Sequence, residues 1–238
     1  MTIEIIPIAG TEIPFVPGPW PMPEALRAEI PAAWARVIAA QPETWDGRIL
    51  GFTPPEIGAD AVLRAVAYED AYSTFLTWRN AGFPDIGLVH MFGTALIHSA
   101  DGALIFGVMG QQTVNAGRIY PPGGSLEPRD VREGLVDAEA CIALELDEET
   151  GLDAADARLG PLLAVFHGPR VAISRVFHFE QSAEDLVATI RANLERQEHR
   201  ELADVLALRN AKEGRATGDL VDYAAAVLDA LEAGRLFG

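Results

Sequence analysis

Three glutamates, Glu145, Glu148 and Glu149, stand at i, i+3 and i+4 just before Gly151-Leu152, and the first of them lies twenty-one residues after the second glycine of Pro121-Pro-Gly-Gly124. On a helix this spacing puts the three carboxylates on one face. Like charges there repel, and Glu145 and Glu149 form an unfavourable i,i+4 pair, so the cluster weakens its own helix unless something cationic partners it. A divalent ion is such a partner.

The elements that must position these groups can be read from periodicity and punctuation. Residues 3–8 form a strand. A Pro-rich stretch over 14–23 leads into an amphipathic helix with Leu26, Ile30, Trp34, Val37 and Ile38 on one side, which Pro31 is expected to break or restart. Strands follow over 48–53 and 62–68, then a helix over 69–80 with Tyr72, Phe75, Leu76 and Arg79 at helical spacing, and Gly82-Phe-Pro84 closes this section. The chain therefore divides into an N-terminal α/β extension, 1–84, and a second unit, 85–238. In the second unit two apolar runs flank the turn Ser99-Ala-Asp-Gly102, which predicts a hairpin. A helix over 137–150 stopped by Gly151, strands over 161–166 and 171–180, a helix over 182–195 capped by Ser182, a short strand over 205–208 and a closing helix over 219–233 complete the reading.

Composition narrows the classes of partner. The chain has 238 residues, 49% of them hydrophobic, enough for a sizeable core, and carries a formal charge of −17. That balance argues against a nucleic-acid backbone or an anionic membrane as the main partner, and an anionic substrate would need metal help. Of 18 basic residues only Lys212 is lysine; the arginine bias either supplies planar forks for phosphate or carboxylate or reflects base composition. The lone cysteine, Cys141, lies among Ala138, Ala140, Ile142 and Ala143 and reads as a small buried residue, not a nucleophile. None of the histidines at 90, 98, 167, 178 and 199 is spaced for a helical metal pair. With no basic leader before an apolar run and no long uncharged apolar segment, a cytoplasmic location is expected.

Gly-Gly, a loop, and a helix ending Glu-x-x-Glu-Glu-x-Gly, preceded by a sheet hairpin, together resemble the Nudix hydrolases, whose box reads G-x5-E-x7-R-E-U-x-E-E-x-G-U with U aliphatic. Glu145, Leu146, Glu148, Glu149, Gly151 and Leu152 fall in register. Leu144 stands where the box has arginine, Gly124 lies six residues too far from Glu145, and the box glutamate has no in-register match, Asp137 and Glu127 being the nearest substitutes. The box is degenerate and carries an insertion. Four segments are similar to the Nudix branch that splits UDP-glucose and UDP-galactose: Trp34 through Gln41-Pro42, Tyr72-x-x-Phe75-Leu76, Gly123-Gly-Ser-Leu-Glu-Pro128 and Glu198-His-Arg-Glu201.

The resemblance implies an α/β (α+β) fold, a mixed sheet between helices, behind which the N-terminal extension shapes the pocket. It implies Mg²⁺, or Mn²⁺, held by Glu145, Glu148, Glu149 and the carbonyl of Gly124, with Gly123 and Gly124 allowing a tight turn. Arg118, Arg129 or Arg132 would replace the missing arginine. The base that activates water comes from the box helix or from the loop holding Glu198 and Glu201, of which Glu201 is the better match. Arg118, Arg170, Arg175 and Tyr72 are the expected substrate contacts. The implied reaction is hydrolysis of a nucleoside diphosphate linked to another group, UDP-glucose or UDP-galactose first and ADP-ribose second; a catalytically silent nucleotide-binding module is the alternative. Many relatives dimerise, which leaves a homodimer open.

Overall fold

A computed structural model describes residues 2–42 and 44–237. Strands β1 (Ile3–Ile8) and β2 (Gly10–Glu12) lead to helix α1 (Glu24–Ala40), then β3 (Arg48–Phe52), β4 (Glu56–Ile57), β5 (Val62–Arg64), β6 (Ala67–Ala71) and helix α2 (Tyr72–Asn80). Next come β7 (His90–His98), β8 (Leu104–Met109), β9 (Arg118–Tyr120), the hairpin β10 (Val131–Arg132) and β11 (Leu135–Val136), and helix α3 (Ala138–Thr150). The remainder is β12 (Arg158–His167), β13 (Arg170–His178), α4 (Ala183–Leu194), β14 (Leu202–Leu208), α5 (Ala211–Thr217), β15 (Asp219–Leu220) and α6 (Asp222–Glu232).

The strands are apolar on both faces, and the main sheet is accordingly covered on both sides. Along β7, Met91, Ala95 and Ile97 enter one core with Cys141, Ile142 and Leu146 of α3 and Leu186 and Ile190 of α4. Leu96, of opposite parity, enters a second core with Ala224, Val227 and Leu228 of α6. The sheet is mixed, in the order β1-β12-β13-β7-β8-β9-β15, with β14 also paired to β8. The β13–β7 and β9–β15 pairs are parallel and the others antiparallel. The first strand belongs to this sheet, running from Ile3 opposite His167 to Ile8 opposite Leu162. A smaller core of Trp20, Ile49, Phe75, Leu76, Trp78 and Leu88 lies among α2, β3 and their neighbours. The expected hairpin is present, with Gly102 at φ +86° and the Ser99 hydroxyl accepting from the Ala103 amide at 2.9 Å.

Some expectations need correction. Pro31 does not interrupt α1. The proline is exposed, so water can take the carbonyl it leaves without a donor, while Leu26, Ile30, Trp34, Val37 and Ile38 are half-buried on the other side and keep the helix in place. The strand expected over 62–68 is two strands in different small sheets: β5 pairs with β2 and β4, β6 with β3. The step falls at Val66, whose amide donates to the Thr53 hydroxyl and whose carbonyl accepts from the Thr53 amide, both at 2.9 Å. Residues 69–71 extend β6 instead of opening α2. The closing helix starts at Asp222, because Asp219 and Leu220 are drawn into pairing with β9. Helix α5, capped by Asn210 through the Glu213 amide, had its Asn-x-x-Glu signal in the sequence unread. Among the described residues no helix is long and apolar enough to cross a membrane.

Candidate active site

Strands β7 and β8 pair only next to their turn, through Ile97 with Ile105 and His98 with Leu104. Further along, β7 has backbone groups in need of partners, and the glycine segment supplies them. The Gly93 amide donates to the Gly124 carbonyl at 2.9 Å, the Gly124 amide to the Gly93 carbonyl at 3.1 Å, and the Ala95 amide to the Pro122 carbonyl at 2.8 Å. Gly123 and Gly124 are not at positive φ, so a tight turn does not explain them. Close approach does. A Cβ on Gly123 would overlap the Gly93 carbonyl oxygen, and one on Gly124 would occupy the place of the Glu145 carboxylate.

The surplus of six residues between Gly124 and Glu145 matches in length the hairpin Val131–Val136, whose turn residues Glu133 and Gly134 take φ of 53° and 81°. Asp137 then caps α3 through the Ala140 amide at 2.9 Å, and Gly151 ends it at φ +68°. Along α3, Leu146 faces the core and Leu144, at the box-arginine position, is exposed. Arg129, from the turn before the hairpin, reaches the acidic face instead: its guanidinium is 3.3 Å from Glu127, 3.6 Å from Glu145 and 3.7 Å from Glu148. Arg118 and Arg132, the other two candidates for that place, pair with Asp219 and Asp137. Of the two stand-ins for the box glutamate, Glu127 shares Arg129 with the acidic helix and Asp137 is the helix cap.

Glu145, Glu148, Glu149, Glu198 and Glu201 line one cavity of about 380 Å³, with Gln197 and His199. Burial first, then the Glu148 and Glu201 charges, push Glu145 up to about 7. Burial, with Glu145 and Glu201 behind it, holds Glu149 well above the usual carboxylate range, although the Gly123 amide donates to it at 2.8 Å. Glu201 is raised by burial and by Glu148. As they stand, no three His, Cys, Asp or Glu among the described residues are gathered tightly enough to hold a metal ion. The chemistry of the donors nevertheless fits Mg²⁺ or Mn²⁺: the three glutamates offer carboxylate oxygens, and a dication would offset both the burial and the mutual repulsion that raise Glu145 and Glu149.

On the other side of Gly123 and Gly124 lies a second cavity, of about 250 Å³, with the opposite character. Arg79, Arg118 and Arg170 line it, and Glu201 is the one carboxylate on its wall among the described residues. Burial and the neighbouring cations hold Arg79 and Arg170 below the ordinary arginine value. Its apolar wall is a run of rings: Tyr72 to Phe75 at 5.7 Å between centroids, Phe75 to His90 at 4.3 Å, His90 to Phe92 at 5.4 Å and Phe92 to Tyr223 at 5.5 Å. Burial, then Arg170 and Arg79, push His90 down to about 3, so this imidazole is neutral and faces the Ser125 hydroxyl at 3.3 Å.

The expected site residues thus fall into two adjoining cavities with Glu201 on the wall of both. Glu145, Glu148 and Glu149 line the first; Tyr72, Arg118, Arg170 and Gly124 line the second. Arg175 stands apart, its guanidinium bonded to the Gly160 carbonyl at 2.9 Å and to Glu139. Sequence reasoning missed Arg79, His90, Phe92, Tyr120 and Tyr223. Only Arg79 carried a local signal, falling at i+7 from Tyr72 and i+4 from Phe75 on one helix face.

No protein-family model matches the chain, and no curated protein matches it. Solved structures resemble it in part. One is the MutT protein from Methanosarcina mazei Go1, 17% identical over 61% of this chain and 94% of that one, with a TM-score of 0.41. A Nudix hydrolase from Nitrosomonas europaea is 14% identical over 62% and 90%, with a TM-score of 0.41. The Nudix domain of Shewanella oneidensis NrtR, complexed with ADP ribose, is 12% identical over 66% and 92%, with a TM-score of 0.40.

Proposed function

We propose that this chain is a Nudix-type pyrophosphohydrolase that cuts the diphosphate of a nucleoside diphosphate linked to another group, UDP-glucose or UDP-galactose being the specific reading. The observation that carries it is the meeting of two oppositely charged cavities at Glu201, with Gly123 on the wall of one bonded to Glu149 on the wall of the other. One wall offers hard oxygen donors for a divalent cation, and the other offers three guanidiniums in a chain of net charge −17. A diphosphate bridging the two satisfies both. An aromatic wall beside the arginines suits a base or a ribose.

Glu145, Glu148 and Glu149, with the free lone pair of the Gly124 carbonyl, would hold Mg²⁺ or Mn²⁺, which when bound neutralises the phosphate oxygens and acidifies the attacking water. Arg118 and Arg170 hold phosphate oxygens and orient phosphorus toward the glutamates. Glu201, on the wall of both cavities, takes the proton from the water. The water oxygen bonds to phosphorus as the bridging P–O bond breaks, giving UMP and sugar 1-phosphate with the sugar carbon untouched. The UDP-sugar reading rests on the four sequence segments, three of which contribute cavity residues: Tyr72 and Phe75, Gly123 to Ser125, and Glu201. Residues 1–84 are read as the extension that shapes the pocket of the 85–238 hydrolase unit, supported by Tyr72, Phe75, Arg79 and Phe83 on the cavity wall.

The test is phosphatase-coupled phosphate release with Mg²⁺ over UDP-sugars, ADP-ribose, dinucleotides and nucleoside triphosphates, with Glu149→Gln as control. Turnover of UDP-sugars that the variant abolishes is the expected result. Turnover of ADP-ribose alone removes the UDP-sugar assignment, and metal binding with no turnover of any substrate removes the enzyme.

A further inference from the structure

The most conspicuous unexplained group lies at the far wall of the arginine cavity. Tyr223, in the first turn of α6, is 8% exposed, and its hydroxyl has no hydrogen-bond partner among the described residues. A phenol brings one donor and acceptor capacity into the interior, and leaving both unmet is costly. Phenylalanine would make the same edge contact with Phe92, at 5.5 Å and 76°, without that cost. Packing therefore does not account for the hydroxyl. Four residues, Arg118, Arg170, Val221 and Tyr223, line both the arginine cavity and a smaller one of about 130 Å³ behind it, so they form the partition between the two. The residue that carries the unpaired hydroxyl thus belongs to the same partition as Arg118 and Arg170.

We infer that the Tyr223 hydroxyl is a ligand-binding group that joins the guanidiniums of Arg118 and Arg170 in holding a phosphate of the substrate. The inference rests on the reading that this cavity takes a nucleoside diphosphate. The hydroxyl is a neutral donor, because burial, with Tyr120 and Glu149 adding to it, keeps the phenol protonated well beyond its ordinary range. A neutral donor beside two cations selects an acceptor that is itself negative and has several oxygens, as phosphate does. Arg118 is about half exposed and only loosely paired with Asp219, at 3.6 Å, so it is free to swing onto an incoming phosphate. The price of keeping the hydroxyl is borne by the ligand-free protein, which gives the inference a signature that a structural role lacks.

Tyr223→Phe tests it. Calorimetric titration of the full chain in metal-free buffer with inorganic pyrophosphate, UMP and uridine is run beside thermal unfolding. The expected result is about tenfold or greater weakening of pyrophosphate and UMP, as for loss of a hydrogen bond to a charged group, with uridine unchanged and the ligand-free midpoint equal to or above that of the parent. Undiminished pyrophosphate affinity in the variant overturns the inference, as does failure of the parent chain to bind pyrophosphate or a lowered midpoint, which would reveal a structural partner. Tyr223-dependent pyrophosphate binding without turnover of any nucleotide would keep this subsite and remove the hydrolase; turnover with unchanged affinity in the variant would do the reverse.

Discussion

The Gly123 amide donates to the Glu149 carboxylate across 2.8 Å, which ties the loop between the two cavities to the acidic helix. Gly123 is itself pressed against β7, where an added Cβ would meet the Gly93 carbonyl and the Thr94 Cα, both backbone. Gly124 meets only the end of the Glu145 side chain. The two neighbouring glycines should therefore respond differently to the same substitution. Gly123→Ala is expected to destabilise the fold by about 1–3 kcal/mol, as overpacking does, and to displace Glu149. Gly124→Ala should cost about 1 kcal/mol or less, because a carboxylate can swing aside, yet should weaken Mg²⁺ binding by moving Glu145. Urea unfolding and metal titration of the two variants check this.

Glu145 gives the metal-free protein a pH dependence of definite sign. Its carboxyl titrates near 7 in the fold against an ordinary value of 4.5, so between these pH values the folded chain binds more protons than the unfolded one. Stability from this group is full below about 4.5 and is lost as pH rises through 7. The loss is on the order of 3 kcal/mol at most, and Glu149, raised further, carries the trend higher. On the proposed function Mg²⁺ would bind the deprotonated form and restore what was lost. The expected outcome is a midpoint in EDTA that falls from pH 5 to pH 8, with a Mg²⁺-induced rise larger at pH 8 than at pH 5, and with Glu149→Gln flattening both. A Mg²⁺ effect independent of pH contradicts this.

The acidic helix was legible because its information is local: three carboxylates within five residues, a cap at Asp137 and a stop at Gly151 specify one face of one helix. The same period puts Cys141 and Ile142, at i−4 and i−3 from Glu145, on the side that carries the carboxylates, and this side is buried together with Leu146 and Glu149. The approach of Arg129 to the acidic helix was legible only as one of three options, since it depends on a turn and hairpin that bring residue 129 back to residues 145 and 148. The aromatic wall was not legible, because Tyr72, His90, Phe92 and Tyr223 come from α2, β7 and α6 and meet only after the sheet has formed. Arg175 misled for a related reason. Alternation places an arginine on a face of β13 without saying which neighbour waits there, and that neighbour is Glu139 on α3.

That difference between Arg170 and Arg175 is measurable. Arg170 and Arg79 line the cavity and have no carboxylate partner within 4 Å among the described residues, so a bound phosphate is the natural counter-ion. Arg170→Gln and Arg79→Gln are each expected to raise KM about tenfold or more, since a charged hydrogen bond to substrate is removed, while relief of mutual repulsion offsets the lost bond of Arg170 to His167 and the lost contact of Arg79 with Phe75. Arg175→Gln should leave kcat/KM within about twofold. It should instead lower stability by roughly 1 kcal/mol through the lost bond to the Gly160 carbonyl. Steady-state kinetics on the best substrate of the panel, beside unfolding curves, separates the two patterns.

Among the described residues Glu201 is the carboxylate common to both cavities, and the role of base proposed for it has a kinetic signature that a ligand or a structural residue would not share. Burial and the Glu148 charge raise it, so in the parent enzyme the rate should climb with pH as this group loses its proton. Glu201→Gln keeps the size of the side chain and removes its ability to accept a proton. If it is the base, kcat should fall about 10²- to 10⁴-fold, the range typical of general base catalysis, while KM stays within a few-fold and the acidic limb of the rate profile flattens. If Glu201 serves chiefly to bind the cation, the deficit should instead shrink as Mg²⁺ is raised to saturation. A variant retaining the parent's rate and pH profile would move the base to Glu198 or to the acidic helix itself. Measuring kcat against pH at two saturating Mg²⁺ concentrations distinguishes these outcomes, because only loss of the base leaves a deficit that neither metal nor substrate can repair.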